Sequence, residues 1–531
     1  MQLTWIPALA VFTITWWERP ATARFRSLLF LECVVIAALY QCSAGLIETV
    51  ILAAGMTVYS LLFCLDFCYY ERIGRPLDPG TVRLILKERE SAYLLIKGAT
   101  HERDWLVFFL VPLFAILAFT PAAPSRVSQA VAVAASSVYV VWLFIDRNGK
   151  LSPALNVLRC VSAALLITPP QSRKRVVRRV PFPLSPSSPA TCNILMFAVE
   201  SFSDQILHSS EGREAAPAYH AFLRNHAGEI TEFPKAFANS ATSDLSYTAL
   251  LTGLSPGESL ARLTSAPLLW AAAKTAGHHT SFYCSQSLRW LDLGALLLDP
   301  AIDRAVHRDA LGARAANDLA MDDRHLNRIV CHDLKKQPAP FLSVINYNML
   351  HFPFLGDQSE RPFHPNSAKE RYLSALALFD RCFSDVIQAL AAAGSLENTA
   401  ILVTGDHGED PSTGERKRGE AVPRLYDLRY EFLKVPCWLK IPGNALSSAQ
   451  QRALTHNLHR SISNLDLYPT ILDLLGYQEA GELALSGHSL LKPLPETRSL
   501  VAFNSGELRA WDYEPFSFVR GDDMLLYHDL T

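Results

Sequence analysis

Residues 400–410 read Ala-Ile-Leu-Val-Thr-Gly-Asp-His-Gly-Glu-Asp. The run 400–403 is apolar and stops abruptly at Gly405-Asp406-His407-Gly408. A short strand that ends this way delivers a carboxylate and an imidazole to the edge of a sheet. The glycines permit tight turns and let a ligand approach the backbone. Asp406 and His407 are adjacent, so within a strand they would point to opposite faces. On a loop both can reach one metal ion, and Asp oxygen and His nitrogen are ordinary ligands for zinc or manganese. A plain polar turn would have the same local composition, so the remaining ligands, a nucleophile and a substrate must come from elsewhere in the chain.

From Asn193 onward, short apolar strands alternate with longer helical patterns. Strand candidates are 194–199, 279–285, 341–346 and 400–404; helix candidates include 265–276, 367–393 and 462–475. This alternation predicts an α/β sheet covered on both faces, and ligands of such sheets gather at the carboxyl ends of strands. Polar residues stand there: Glu200 ends the first strand, His351 follows the third, and Asp406-His407 follows the fourth. Glu200 fits a third metal ligand, or equally a helix N-terminal acid. His351 precedes Pro353 and also fits a simple turn. Hydroxyls cluster at Ser240, Thr242, Ser243 and Ser246, ahead of Leu250-Leu251-Thr252-Gly253. A hydroxyl at a helix start is usually an N-cap, a role compatible with that of a nucleophile.

The first third of the chain has a different character. The 531 residues are 50% hydrophobic, with a mean hydropathy of +0.13 and a net charge of −2. The hydrophobic excess sits almost entirely before residue 170 and indicates a membrane portion; the near-neutral charge gives no reason to expect a nucleic acid partner. Five apolar segments lie at 3–17, 27–44, 46–66, 105–123 and 128–146. A weaker sixth, 151–168, is interrupted by Pro153, Asn156 and Arg159. A cleaved signal peptide is not expected, because the start lacks a basic region and a small-residue cleavage site. Basic clusters follow both the first and the last span, so charge alone leaves the topology open. Residues 171–190 read as a proline-rich linker; its basic run, 171–179, fits contact with lipid phosphates or a solvated hinge. Ten scattered cysteines form no CxxC pair, and the odd number after residue 170 argues against a disulfide framework.

Taken in order, Val199-Glu200-Ser201, Thr242-Ser243-Asp244-Leu245-Ser246 with Leu250-Leu251-Thr252-Gly253, His351-Phe352-Pro353-Phe354 and Thr404-Gly405-Asp406-His407-Gly408-Glu409 resemble the alkaline-phosphatase/sulfatase superfamily. More narrowly, the chain is similar to the membrane-anchored phosphoethanolamine and phosphoglycerol transferases, including lipoteichoic acid synthases. The resemblance spans 193–525, and the stretch 463–476 matches the helix these enzymes carry after the metal loop. It implies an alkaline-phosphatase-like α/β fold, a mixed sheet sandwiched by helices in a catalytic domain at 191–531. A linker at 171–190 and a transmembrane helical domain of five spans at 1–170 would precede it.

The resemblance also implies that Glu200, Asp406 and His407 bind one divalent ion, zinc or manganese with magnesium a third option, and that the nucleophile is the fourth ligand. His351 would hold a phosphoryl oxygen or serve the leaving group. Thr242-Ser243-Asp244 matches the synthase motif with Thr242 as nucleophile, whereas register counted back from Leu250-Leu251-Thr252-Gly253 favours Ser243. The Pro and Arg of formylglycine sulfatases are missing after Ser243. A histidine that many relatives carry after the metal loop is replaced by the basic run Arg416-Lys417-Arg418, which suits a phosphate or a solvated loop. The implied function is transfer of a phospholipid headgroup to a lipid or glycan acceptor through a covalent Ser/Thr intermediate. The implied location is a multi-pass inner or plasma membrane protein with an extracytoplasmic, periplasmic catalytic domain. The alternatives are a membrane-tethered hydrolase of phosphate or sulfate esters and a non-catalytic scaffold of the same fold.

Overall fold

The computed structural model describes Leu62, Leu77, Val82, Leu86 and residues 153–166, 177–189 and 192–527, less 290–291, 317–319, 353, 355–366, 412–427, 478–482, 504–515 and 521–522. Its contacts divide the chain into two units. The first comprises 1–89, 99–171 and 416–423, and the second comprises 90–98, 172–415 and 424–531. The five expected spans lie outside the described residues, except for Leu62. Among the described residues, no helix is long and apolar enough to cross a membrane. The weaker sixth segment is a helix, α1 (Pro153–Leu166). Its 14 residues reach about 21 Å, short of the ~30 Å hydrocarbon core. Pro153 and Asn156 do not interrupt it. Pro153 is its first residue, where a missing N–H costs nothing, and Asn156 Nδ2 donates to the carbonyl of Leu77 at 2.8 Å.

In the second unit the strands in chain order are β1 (Asn193–Val199), β2 (Ile230–Glu232), β3 (Ala236–Phe237), β4 (His279–Cys284), β5 (Arg304–His307), β6 (Phe341–Asn346), β7 (Thr399–Gly405), β8 (Cys437–Lys440), β9 (Ile462–Ser463), β10 (Leu500–Phe503), β11 (Phe516–Arg520) and β12 (Asp523–Tyr527). The main sheet runs β2-β8-β7-β1-β6-β4-β5. Its five central and far strands, β7 to β5, are mutually parallel, and β8 and β2 add antiparallel pairings at one side. The sheet is therefore mixed, as expected, and the four strands read from sequence hold its middle. β1 sits at the centre between β7 and β6, and all seven of its residues are buried. Burial on both faces explains why β1 and its neighbour β7 read as nearly continuous apolar runs and not as alternating ones.

Side-chain alternation splits the core in two. Ile194, Met196, Val344 and Leu402 face one layer, which contains α2 (Ser243–Thr252), the helix Leu269–Thr275 and the helix Leu467–Leu474. Leu195, Phe197, Ile345, Ile401 and Val403 face the other, built on α3 (Asp323–Leu334) and α4 (Ala368–Ala392). α4 begins where the sequence placed it, because Ser367 and Glu370 form a reciprocal capping box. Two other helix expectations need correction. The 265–276 candidate is two helices, Leu260–Ser265 and Leu269–Thr275, separated at Pro267. The 462–475 candidate starts as β9 and a 3-10 turn, because the Ser463 amide is taken by Asp466 Oδ2 at 2.8 Å; the α-helix begins only at Leu467.

Residues 177–189 carry no regular structure, as their prolines require, yet they are docked on the second unit. Arg179 donates to the carbonyls of Leu263, Ala266 and Leu296 at 2.6–2.9 Å, and burial lowers its pKa to about 10. Phe182 packs edge-on against Tyr477 at 4.9 Å, and the Ser187 amide donates to the Gly476 carbonyl at 2.8 Å. Arg179 thus caps carbonyls of the domain.

Asp466 is fully buried and holds Arg498 through two hydrogen bonds of 2.8 and 2.9 Å, while also accepting the amides of Ser463 and His488. Removing one partner of a buried pair strands the other charge. Arg498→Met is expected to lower unfolding free energy by about 3 kcal/mol, measured by urea denaturation of the full chain. A loss below about 0.5 kcal/mol would show that the pair is no more than a surface contact.

Candidate active site

Three strand ends converge at the carboxyl edge of the main sheet. β1 delivers Glu200, β7 delivers Asp406 and His407, and the Glu200 amide donates to the carbonyl of Tyr347 just after β6. Glu200, Asp406 and His407 each offer a ligand atom, and these atoms lie within 4.8 Å of one another; all three residues are fully buried. His407 Nε2 is 3.4 Å from Glu200 Oε1 and 3.4 Å from Asp406 Oδ2. Its Nδ1 lies 2.8 Å from the Gly408 carbonyl. A carbonyl only accepts, so Nδ1 carries a proton and Nε2 faces the carboxylates. Both expected loops therefore meet at one point.

The hydroxyl comes from α2. Ser243, its first residue, is half-buried and donates to Glu200 Oε1 at 2.6 Å, with His407 Nε2 at 3.4 Å. Thr242 sits at the N-cap position but its side chain does not cap the helix. Its Oγ1 is 2.9 Å from Ser240 Oγ, and it is 6% exposed. The two adjacent candidates are thus separated by geometry: Ser243 joins the cluster and Thr242 joins Ser240. His351 lies on the turn after β6, at the same sheet edge, with Nδ1 2.6 Å from the Phe352 carbonyl. The turn leading to it is held by Asp323, which accepts the Asn348 amide at 3.1 Å. Burial lifts the Asp323 carboxyl to about 7, against hydrogen bonds from Ser285, Asn348 and Met349. Arg416, Lys417 and Arg418 lie outside the described residues.

Further residues shape this edge. Tyr247, one turn along α2, donates to the Ala198 carbonyl at 2.9 Å and pins the helix to β1 two residues before Glu200. Burial, then the charges of Asp406 and Glu200, hold its phenol well above the ordinary range, so it remains a donor. Asn346 also donates to Ala198 and meets the Tyr247 hydroxyl. Asn464 donates to the Gly405 carbonyl at 2.8 Å and accepts from Thr404 at 2.9 Å, clamping the start of the loop. Ser201 has φ 58°, a left-handed conformation that side chains rarely adopt. Its amide donates to Asp406 Oδ1 at 3.0 Å, and the Tyr372 hydroxyl donates to its carbonyl at 2.8 Å. Gly408 has no room for a side chain: a Cβ would lie 2.2 Å from the Glu431 carbonyl oxygen and 2.7 Å from that of Lys434. Asn464 stands in the quoted tail motif. Ser201 and Gly408 belong to the motifs given above, whereas Tyr247 gave no signal beyond its nearness to motif residues.

Outside the cluster, His208 Nδ1 is 3.3 Å from Asp204 Oδ1, and its Nε2 is 3.2 Å from Glu232 Oε1. Lys434 Nζ is 3.6 Å from Asp204 Oδ2. Burial pulls the His208 pKa down, but hydrogen bonds and charges of the two carboxylates outweigh it and hold the imidazole up at about 9.

The fold and the buried carboxylate–histidine–hydroxyl cluster define an α/β protein of the alkaline-phosphatase type with a candidate divalent-metal site. The sulfatase family profile matches residues 192–477, just over half of the chain, and the chain belongs to that family, whose members are enzymes of sulfatase-like or phosphotransferase type. Arylsulfatase K of Danio rerio is 31% identical over 146 residues, 27% of this chain and 24% of that protein. The lipoteichoic acid synthase-like YvgJ of Bacillus subtilis is 28% identical over 168 residues, 30% of this chain and 26% of that protein. The chain therefore spans about a quarter of the length of these curated relatives. Among solved structures, the integral membrane protein lipooligosaccharide phosphoethanolamine transferase A of Neisseria meningitidis superposes with a TM-score of 0.55 at 13% identity, covering 91% of this chain and 96% of that one. That likeness establishes the shared fold.

A histidine whose pKa is raised on folding contributes stability that is fully present below its unfolded value, near 6.5, and is lost as pH rises through about 9. His208→Gln is expected to flatten the decline of melting temperature between these two pH values. Parallel melting curves for the two proteins across that window would rule the contribution out.

Proposed function

We propose that the chain is a metal-dependent transferase. It would take a phosphoethanolamine or phosphoglycerol group from a phospholipid onto Ser243 and pass it to a lipid or glycan hydroxyl outside the cytoplasm. The observation that carries this reading is the 2.6 Å hydrogen bond from Ser243 Oγ to Glu200 Oε1, inside the cluster formed with Asp406 and His407.

The donor set fits a divalent ion. Two carboxylates within 4.8 Å repel by about 3–4 kcal/mol at an effective dielectric near 20, so their joint burial calls for positive charge. Two carboxylates, an imidazole Nε2 and a hydroxyl are hard and borderline ligands of the kind that zinc and manganese take. When bound there, such an ion would lower the pKa of the Ser243 hydroxyl and draw charge from a phosphoryl oxygen.

The remaining steps use this chain's own groups. Glu200 is placed to take the Ser243 proton as Oγ forms its bond to phosphorus. The phosphorus–oxygen bond to diacylglycerol breaks, and the departing oxygen takes a proton from His351. The headgroup then rests on Ser243 as a phosphodiester. An acceptor hydroxyl attacks the same phosphorus and gives its proton to His351, which restores that residue, and Ser243 leaves with the proton returned by Glu200. Ser243 opens the ten-residue helix α2, whose positive end favours the attacked anion. The apolar segments before residue 170 would hold this site beside a lipid donor. The similarity to a phosphoethanolamine transferase described as an integral membrane protein supports that location.

A second reading, hydrolysis of sulfate or phosphate esters with water as acceptor, is favoured by the similarity to Arylsulfatase K. It uses the same site.

Incubation of the purified full-length protein with mixed phosphatidylethanolamine and phosphatidylglycerol, followed by mass spectrometry, tests the proposal. A headgroup adduct on Ser243 in the 239–253 peptide is expected, and it should vanish in Ser243→Ala with at least roughly a thousandfold loss of turnover. Thr242→Ala should retain the adduct. Chelation should remove activity, and zinc or manganese should restore it. Full headgroup transfer by both single variants would refute the nucleophile assignment, and free headgroup or sulfate without transfer would favour the hydrolase.

A further inference from the structure

We propose that Lys434 is a positioning residue that sets the distance between Glu200 and His407 by tying together the two loops that carry them; this rests on the metal-site reading above. The cluster's ligands leave the sheet on separate chain segments, and the β1 exit must be registered against the β7 exit from outside as well as within. Lys434 bridges them. It is 4% exposed, its ammonium lies 3.6 Å from Asp204 Oδ2 and also donates to the Pro234 carbonyl, and it stands 5.8 Å from the centre of the Phe237 ring. Asp204 opens the short helix Asp204–Leu207, four residues beyond Glu200.

On the other side, the backbone of Lys434 is part of the wall behind the metal loop. The Lys434 amide donates to the Tyr430 carbonyl at 2.8 Å, closing the turn 430–434. The Gly408 amide donates into that turn, to Phe432, at 2.8 Å, and the Glu431 and Lys434 carbonyls occupy the space a Gly408 side chain would need. The Gly408 carbonyl in turn receives the His407 Nδ1 proton and so sets the direction of Nε2. Side chain and backbone of one residue therefore connect Asp204 to the group that aims the imidazole. Burying an ammonium is costly, and an apolar side chain of similar length would fill the volume at less cost. What the charge adds is an ion pair with Asp204 on the β1 exit loop.

The test is zinc affinity of the full-length protein, stripped of metal and titrated against a chromophoric chelator. Lys434→Met should weaken zinc binding by about 10–100-fold, the range for residues that orient ligands from outside, with an unchanged far-ultraviolet circular dichroism spectrum. Lys434→Arg should return the affinity to within about threefold of the native protein. Asp204→Asn, which removes the other end of the contact, should reproduce the loss, and it decides the matter if Lys434→Met fails to fold. Native affinity in both Lys434→Met and Asp204→Asn would overturn the role of Lys434 alone. Absence of zinc and manganese binding by the native protein would overturn the metal reading and this inference with it.

Discussion

Asp406 Oδ1 accepts two backbone amides, that of His407 at 2.8 Å and that of Ser201 at 3.0 Å. Beyond the β1–β7 ladder, which ends with the Asp406 amide on the Val199 carbonyl at 3.1 Å, that one oxygen ties the loop after β7 to the loop after β1, and Asp406 Oδ2 is left turned towards His407 Nε2. The cost of the arrangement falls on Ser201, whose left-handed backbone is unfavourable by about 1–3 kcal/mol. Its neighbours over-determine it. The Tyr372 hydroxyl donates to the Ser201 carbonyl and accepts from the Ser203 amide, both at 2.8 Å, which leaves the β1 exit little freedom to relax.

Around that contact the fold supplies support from each layer. α4 contributes Tyr372, α2 contributes Ser243 and Tyr247, and the turn before the helix Leu467–Leu474 contributes Asn464. The bonds from Tyr372, Tyr247 and Asn464 each end on a backbone carbonyl within two residues of a cluster member, and that from Ser243 ends on the Glu200 carboxylate itself. The bonds fix where the strand ends sit and leave the ligand atoms turned inward. A site of this kind, held by rigid elements and oriented from outside, suits chemistry that depends on placing charge at a fixed point. Ser243 remains half-buried while Glu200, Asp406 and His407 are fully enclosed, which is the distribution expected when only the hydroxyl must meet a substrate.

Much of this was legible in the amino-acid order. Parallel central strands are buried on both faces, so β1, β6 and β7 appear as largely apolar runs, and the ends of these three and of β4 can be read to within one residue. Boundaries set by local chemistry were also legible, such as the Ser367–Glu370 capping box. The antiparallel strands β2 and β8 were less so, because strands of three and four residues are too short to show a period. The split at Pro267 and the strand at Ile462–Ser463 were missed where apolar content outweighed a single breaking residue. Arg179, which reads as part of a basic run, spends its guanidinium on three carbonyls of the domain; composition reports charge and cannot report what the charge faces.

For the site, the sequence by itself determined the chemical types and the strand ends on which they stand: a carboxylate after β1, a hydroxyl cluster before α2, and an acid–imidazole pair after β7. It left Ser243 and Thr242 open, because two neighbouring hydroxyls at a helix start have almost the same local context. Tertiary structure gives the two side chains different surroundings. Thr242 has an extended backbone (φ −125°, ψ 135°) while Ser243 is the first helical residue, so their side chains diverge; with Tyr247 pinning α2 to Ala198, Ser243 is turned onto Glu200 and Thr242 onto Ser240. The link from Asp204 to Lys434 was likewise invisible in the chain, since its two ends are 230 residues apart and meet only when β1 and β7 lie side by side.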